Sequence, residues 1–149
     1  MPPENIFYHT EDISFVLQNE NTTSNWLVKL VERHNKKLGE LNYIFCSDDY
    51  LLKLNLEHLN HDYFTDIITF DYCDEDRISG DLFISIDRIN ENAKTFRKTQ
   101  INELNRVIAH GLLHLLGFSD KTEEDVVEMR SMEEDALMIL SKIQVPDNK

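Results

Sequence analysis

Ile101-Asn102-Glu103-Leu104-Asn105-Arg106-Val107-Ile108-Ala109-His110-Gly111-Leu112-Leu113-His114-Leu115-Leu116-Gly117-Phe118-Ser119-Asp120 is the stretch from which the rest of the chain is read. Its apolar residues recur at helical spacing up to about Leu116, and Leu104, Ile108, Leu112 and Leu115 define a broad stripe that must face a core. His110 and His114, four apart, share a face beside that stripe, so they look into a cleft and not into the middle of the core. Gly117 suits a left-handed residue that ends the helix and turns the chain, which can return Asp120 toward the two histidines.

Outward from this helix, the downstream segment reads as a second helix from Glu123 to about Ile143, with Thr122 and Asp125 spaced as a capping box. Val126, Met129, Met132, Ala136, Ile139, Leu140 and Ile143 recur in it near helical spacing, as a packing face. Upstream lie a helix from Arg88 to Arg97 and strands at Asp66–Tyr72 and Asp81–Ile86, with the acidic Asp74-Glu75-Asp76 as a solvated loop between them. Further back, Tyr50 to about Leu59 reads as a helix capped by Ser47-Asp48-Asp49, and Leu41–Cys46 as a strand. Asn21-Thr22-Thr23-Ser24 offers caps for a helix through Trp26–Val31 that ends near Gly39, preceded by a strand at Ile13–Leu17. Strands first and helices last predict an α+β fold: a small mixed sheet of about four strands covered by helices, with the histidine-bearing helix central.

The composition agrees. A chain of 149 residues, 41% apolar, with glycine and proline scarce and no repeat or linker, fits one domain over 1–149. At that size about 70% of the unfolded surface is buried without metal or disulfide staples, so any bound metal is expected to be functional. Cys46 and Cys73 read as reduced thiols of a cytoplasmic protein. Neither a secretory leader nor a membrane span is expected. The net charge of −13 argues against generic, sequence-blind nucleic-acid binding.

The chemistry rests on His110, His114 and Asp120. Their spacing, with Gly117, reproduces the metalloprotease pattern H-E-x-x-H-x-x-G-x-x-H with two substitutions. Gly111 stands in place of the glutamate that serves as general base, which disfavours peptide hydrolysis by the usual route. Asp120 in place of the last histidine completes a two-histidine, one-carboxylate set with one position left for water, an accepted catalytic zinc arrangement. The carboxylate also makes manganese or another harder ion more competitive. The bland alternative makes the histidines half-buried packing residues and Asp120 part of a helix cap.

The segment His110-Gly111-Leu112-Leu113-His114-Leu115-Leu116-Gly117-Phe118 resembles the signature H-G-x-L-H-L-x-G-y-D-H of the YbeY family, bacterial endoribonucleases and ribosomal-RNA maturation factors. Thr65–Phe70 is similar to that family's P-T-D-V-L-S-F, and Gly80–Ser85 to its G-D-I-x-I-S. The resemblance implies a metal-dependent hydrolase of single-stranded RNA that acts in maturation of small-subunit (16S) ribosomal RNA and in ribosome quality control. It implies one zinc-type ion on His110, His114 and the residue aligned with the third family histidine, here Asp120. Ribosomal RNA and the small ribosomal subunit are the implied partners, with a ribosome-associated GTPase or a ribosomal protein also expected, and no membrane or DNA.

This chain departs from the family pattern at several positions. Ser119 replaces the aspartate before the last histidine, Phe64 replaces the proline of P-T-D-V, and Leu59 stands where the family usually has an arginine thought to assist the cut. His61 is the catalytic candidate for that missing charge, with Arg97 and Lys98 as alternatives. Gly111 lets another element approach the helix, and the strand beginning at Gly80-Asp81 is the expected far wall of the cleft. Arg88, Lys94, Arg97, Lys98 and Arg106 suggest a basic lane toward the histidines within an otherwise acidic surface. Two other readings remain open at this stage: a non-catalytic ribosome assembly factor with a structural metal, and a metal-dependent peptidase-like hydrolase.

Overall fold

The computed structural model describes residues 5–60 and 64–144. In chain order the elements are β1 (Ile6–Thr10), α1 (Glu20–Arg33), β2 (Lys37–Cys46), α2 (Asp48–Leu59), β3 (Ile67–Asp71), β4 (Arg77–Ser85), α3 (Ile86–Phe96), α4 (Gln100–Leu115) and α5 (Glu123–Gln144). The expected α+β fold with a four-stranded mixed sheet is what forms. The strand order is β1-β2-β4-β3, with β1, β2 and β4 parallel and β3 antiparallel to β4. Parallel neighbours on both sides bury β2, and Tyr43, Phe45 and Cys46 at its end are within 1% of full burial.

Two expectations near the N-terminus are corrected. The first strand is Ile6–Thr10, not Ile13–Leu17. The latter segment is irregular, bracketed by Asp12 and Asn19 at φ of 50° and 60°. Its apolar residues pack without joining a ladder: Leu17 is buried and Phe15 lies against Phe45. The first helix starts at Glu20 and ends at Arg33, well before Gly39, which lies inside β2. Asn21 to Ser24 therefore occupy the first turns of α1 and do not cap it. Thr23 and Ser24 are buried, and Ser24 Oγ shares a 2.9 Å hydrogen bond with Tyr8 Oη, tying α1 to β1.

The remaining elements fall within a few residues of expectation, and their caps explain why. Ser47 Oγ accepts from Tyr50 N at the start of α2, and Ser85 Oγ accepts from Arg88 N at the start of α3. Asp74-Glu75-Asp76 makes the tight turn of the β3–β4 hairpin, closed by backbone bonds between Asp74 and Arg77 of 3.1 and 2.9 Å. Thr122 and Asp125 form the reciprocal capping box of α5.

Two contacts seat α4 on the sheet: Tyr43 Oη donates to the Ile108 carbonyl at 3.2 Å, and Gly111 lies against Leu82 and Ile67. Among the outer helices, Trp26 of α1 donates its indole N–H to the Ala136 carbonyl of α5 at 2.8 Å. Leu104, Ile108, Leu112 and Leu115 are all buried, as their stripe required. On α5 the buried positions are Met129, Glu133, Ala136 and Leu140, while Val126 is 41% exposed and does not join them.

Candidate metal centre

The end of α4 is a Schellman turn, and it is what assembles the site. Gly117 has a φ of +105°, Phe118 N bonds Leu113 O and Gly117 N bonds His114 O, each at 3.0 Å. A side chain at that φ is strained, so glycine is required for the chain to reverse there. The reversal carries Asp120 back, and its Oδ2 lies 3.5 Å from Nε2 of both His110 and His114. The two Nε2 atoms are 3.0 Å apart.

These separations can be tested against an ion. Two donors about 2.05 Å from a tetrahedral zinc lie roughly 3.3–3.4 Å from each other, which the observed 3.0, 3.5 and 3.5 Å bracket. The three donor atoms form a compact group able to hold a metal ion. His110 strengthens the fit, because its Nδ1 is committed to Glu133 Oε2 at 2.7 Å. With Nδ1 engaged by a carboxylate, Nε2 is the ring atom directed to the same point as His114 and Asp120.

Burial lowers the pKa of His114, and the neighbouring His110 lowers it further, against Asp120 and a hydrogen bond to the Phe118 backbone. The ring is therefore neutral near pH 7, the form a metal ligand needs.

Beneath the histidines lies a buried charge network that sequence reasoning missed. Arg106 binds Glu103 at 2.7 Å, Glu133 at 3.1 Å and Asp66 at 3.7 Å. Burial opposes the charge on Arg106, but the two glutamates more than offset it and hold the guanidinium protonated. Burial likewise pushes the Glu133 carboxyl up, yet the bonds from His110 and Arg106 prevail and hold it below its ordinary value. Arg106 is thus no part of an exposed basic lane, which corrects that expectation. Arg88 is tied down as well, by a 2.7 Å ion pair with Asp48. The overlooked signal for Glu133 is its register: a carboxylate spaced 129, 133, 136, 140 with core residues of α5 is out of place on a solvated face.

The donors open into a pocket of about 480 Å³. Its far wall is the edge strand β3 with the end of α2, through residues such as Thr65, Ile67, Thr69 and Leu59. The expectation that the strand at Gly80-Asp81 forms this wall is corrected: β4 lies one strand further in, because the β3 hairpin folds back along its outer edge. The close approach expected at Gly111 is present, with Leu82 and Ile67 filling the space a Cβ would take.

Asp66, Asp71 and Asp120 are the charged residues on the lining, and among the described residues none there is Lys or Arg. Asp66 titrates above its ordinary value because it is buried, despite Arg106 nearby. Leu59, at the position of the family arginine, lines the pocket and is 43% exposed. His61 lies outside the described residues. Arg97 and Lys98 precede α4, whose first residue is already about 15 Å along the helix axis from His110 at 1.5 Å per residue, and do not line the pocket.

Comparisons with known proteins point the same way. The model of the family described as "Endoribonuclease YbeY" matches residues 5–141. A Porphyromonas gingivalis protein named Endoribonuclease YbeY is 43% identical over 137 residues, covering 92% of this chain and 91% of that protein. Proteins of the same name from Phocaeicola vulgatus and Flavobacterium johnsoniae are 46% and 47% identical, over 91% and 89% of this chain and 99% and 94% of theirs. Among solved structures, the solution structure of TM1509 from Thermotoga maritima superposes with a TM-score of 0.63 at 25% identity, covering 95% of this chain and 97% of that one.

Proposed function

The chain belongs to the Endoribonuclease YbeY family, and from that premise we propose that it cuts single-stranded ribosomal RNA at a metal site made by His110, His114 and Asp120. It is an endoribonuclease, a hydrolase of RNA phosphodiester bonds that acts in ribosomal RNA maturation. The observation that carries the site is the convergence of the three donor atoms, 3.0 to 3.5 Å apart, on the floor of a pocket.

Zinc is the ion this set suits best, two imidazoles and one carboxylate around a remaining open position. A divalent ion bound there supplies Lewis-acid polarisation of a phosphoryl oxygen and a place for the attacking water or hydroxyl. The protein's own part is to hold the donors and shape the cleft. Gly111 has no side chain to act as base, so the proton leaves to solvent or to a phosphate oxygen of the substrate.

The acidic lining bears on partners. With Asp66, Asp71 and Asp120 on the pocket and no basic residue among its described lining, phosphate attraction comes chiefly from the ion. Isolated RNA then binds weakly, since few phosphate charges are neutralised by the protein. Delivery of the strand by the small ribosomal subunit, with a ribosomal protein or a ribosome-associated GTPase as contact, supplies the missing affinity. Action on 16S ribosomal RNA and in ribosome quality control, in the cytoplasm and as one domain over 1–149, completes the proposal. Among the described residues no helix is long and apolar enough to cross a membrane.

The test is elemental analysis of the purified protein, followed by zinc titration and cleavage assays on a single-stranded 16S fragment and on a peptide library. RNA cleavage that needs zinc and is lost in His114→Ala supports the reading. Cleavage at full rate in His114→Ala, or cleavage of peptides alone, overturns it.

A further inference from the structure

The donor triad comes entirely from α4 and the turn after it, yet the ring orientation of one donor is set from another element. Glu133 of α5 is 2% exposed and spends one carboxylate oxygen on each of two partners: Oε2 on His110 Nδ1 at 2.7 Å, Oε1 on Arg106 Nη1 at 3.1 Å. Arg106 is itself fixed by two bonds to Glu103, from Nε at 3.1 Å and from Nη2 at 2.7 Å, in the paired geometry that makes guanidinium–carboxylate contacts rigid. The chain Glu103–Arg106–Glu133–His110 therefore runs from one face of α4 across to α5 and back to the donor.

We propose that Glu133, clamped by Arg106, is a positioning residue that fixes the tautomer and plane of His110 and so sets the affinity of the centre for its ion. This rests on the metal reading above and deepens it. An ionised carboxylate can only accept, so Nδ1 must carry the proton and Nε2 must be the ligating atom. Burial matters as much as contact. A water-exposed glutamate would share its oxygens with solvent, whereas Glu133 commits Oε1 to Arg106 and Oε2 to His110. Carboxylates in this position typically change metal affinity about 10–100-fold.

The test uses Glu133→Gln, which keeps the shape and removes the charge, read by zinc titration against a competing chelator and by the visible spectrum of the cobalt-substituted protein. The expected result is a 10–100-fold weaker zinc affinity and a shifted cobalt spectrum, with unchanged far-UV circular dichroism. The coupling is then measured in a His110→Ala background, where Glu133→Gln should weaken the residual zinc binding by less than about twofold.

Arg106→Lys, which leaves both Glu133 and His110 in place, gives a second reading. It should cost zinc affinity several-fold in the wild-type background and nothing in His110→Ala. Equal losses in both backgrounds mean that Glu133 acts through general stability and overturn the proposal. Wild-type affinity in Glu133→Gln overturns it also, while leaving the metal site intact. A wild-type protein that binds neither zinc nor cobalt removes the metal reading and the proposal together.

Discussion

Gly111→Ala sets two opposing effects against each other, and the structure says which should win. An alanine is about 1 kcal/mol better than glycine inside a helix, so on propensity alone the change stabilises. At this position, however, an ideal Cβ lies 2.5 Å from Leu82 Cδ2 and 2.7 Å from Ile67 Cδ1, against an ordinary carbon contact of about 3.5–4.0 Å. Leu82 is fully buried, so its methyl can shift only by displacing core neighbours; Ile67, on the edge strand, is only partly buried and yields more easily. Overpacking of this kind costs about 1–3 kcal/mol, and the net expectation is a loss of about 1 kcal/mol after the propensity gain. For a chain of this size that lowers Tm by about 2–4 °C.

The same shift has an asymmetric effect on function. His110, His114 and Asp120 all belong to α4 and its terminal turn, so they move together when α4 is pushed off the sheet. The β3 wall does not move with them. Zinc affinity should stay within about twofold, while cleavage of a single-stranded RNA falls about 10–100-fold from a misplacement approaching 1 Å. Urea denaturation, chelator-competed zinc titration and a cleavage time course read the three quantities. A variant as stable as the parent, or more so, refutes the packing argument. Parallel loss of zinc affinity refutes the claim that the donors are independent of the sheet.

Further expectations follow from other contacts. Asp120→Ala should lose metal by elemental analysis while Asp120→His retains it, and unchanged metal content in the alanine variant would remove Asp120 from the donor set. Trp26→Phe removes the 2.8 Å bond to the Ala136 carbonyl and shrinks a fully buried side chain, and should cost about 1–3 kcal/mol in urea, with retention of full stability as the refuting result. Burial holds Tyr8 and Cys46 up to about 12 in the folded protein, whereas in the unfolded chain they ionise near 10 and 8.5. Stability is therefore fully present below about pH 8.5 and declines as pH rises toward 12, by on the order of 2 kcal/mol at pH 10 from Cys46. Equal urea midpoints at pH 8 and pH 10 would contradict this, and Cys46→Ala should flatten the decline.

What could be read from the sequence follows how locally each feature is determined. Helices α2 and α5 announce themselves through Ser47 and the Thr122–Asp125 box, and α4 through its leucine stripe and Gly117. The convergence of His110, His114 and Asp120 was equally legible, since helical spacing and one turn place all three residues. Strand β1 was not. As an edge strand it buries only Ile6 fully, so Ile6–Thr10 carries a weaker apolar signal than the irregular Ile13–Leu17, whose Phe15 and Leu17 pack without pairing. The charge network also escaped: among the acids of α5 only the register of Glu133 with Met129, Ala136 and Leu140 marks it out. Its role exists only where α5 meets Arg106 and His110. The expected basic lane loses Arg106 for the same reason: the sequence of α4 cannot reveal that this side chain turns inward toward three carboxylates.

The Schellman turn at Gly117 has a consequence for how the centre comes into being during folding. A loop that closes between His110 and Asp120 costs little chain entropy, since that cost rises only with the logarithm of loop length and this loop is short and mostly helical. The proposed chelate can therefore form as soon as the end of α4 is wound, before the sheet is complete, and an ion captured there would help nucleate that helix end. On the proposal above, tight retention would come later, when α5 docks and Glu133 reaches His110. Loading would thus precede tightening, and the release rate of the ion would report on whether α5 is in place.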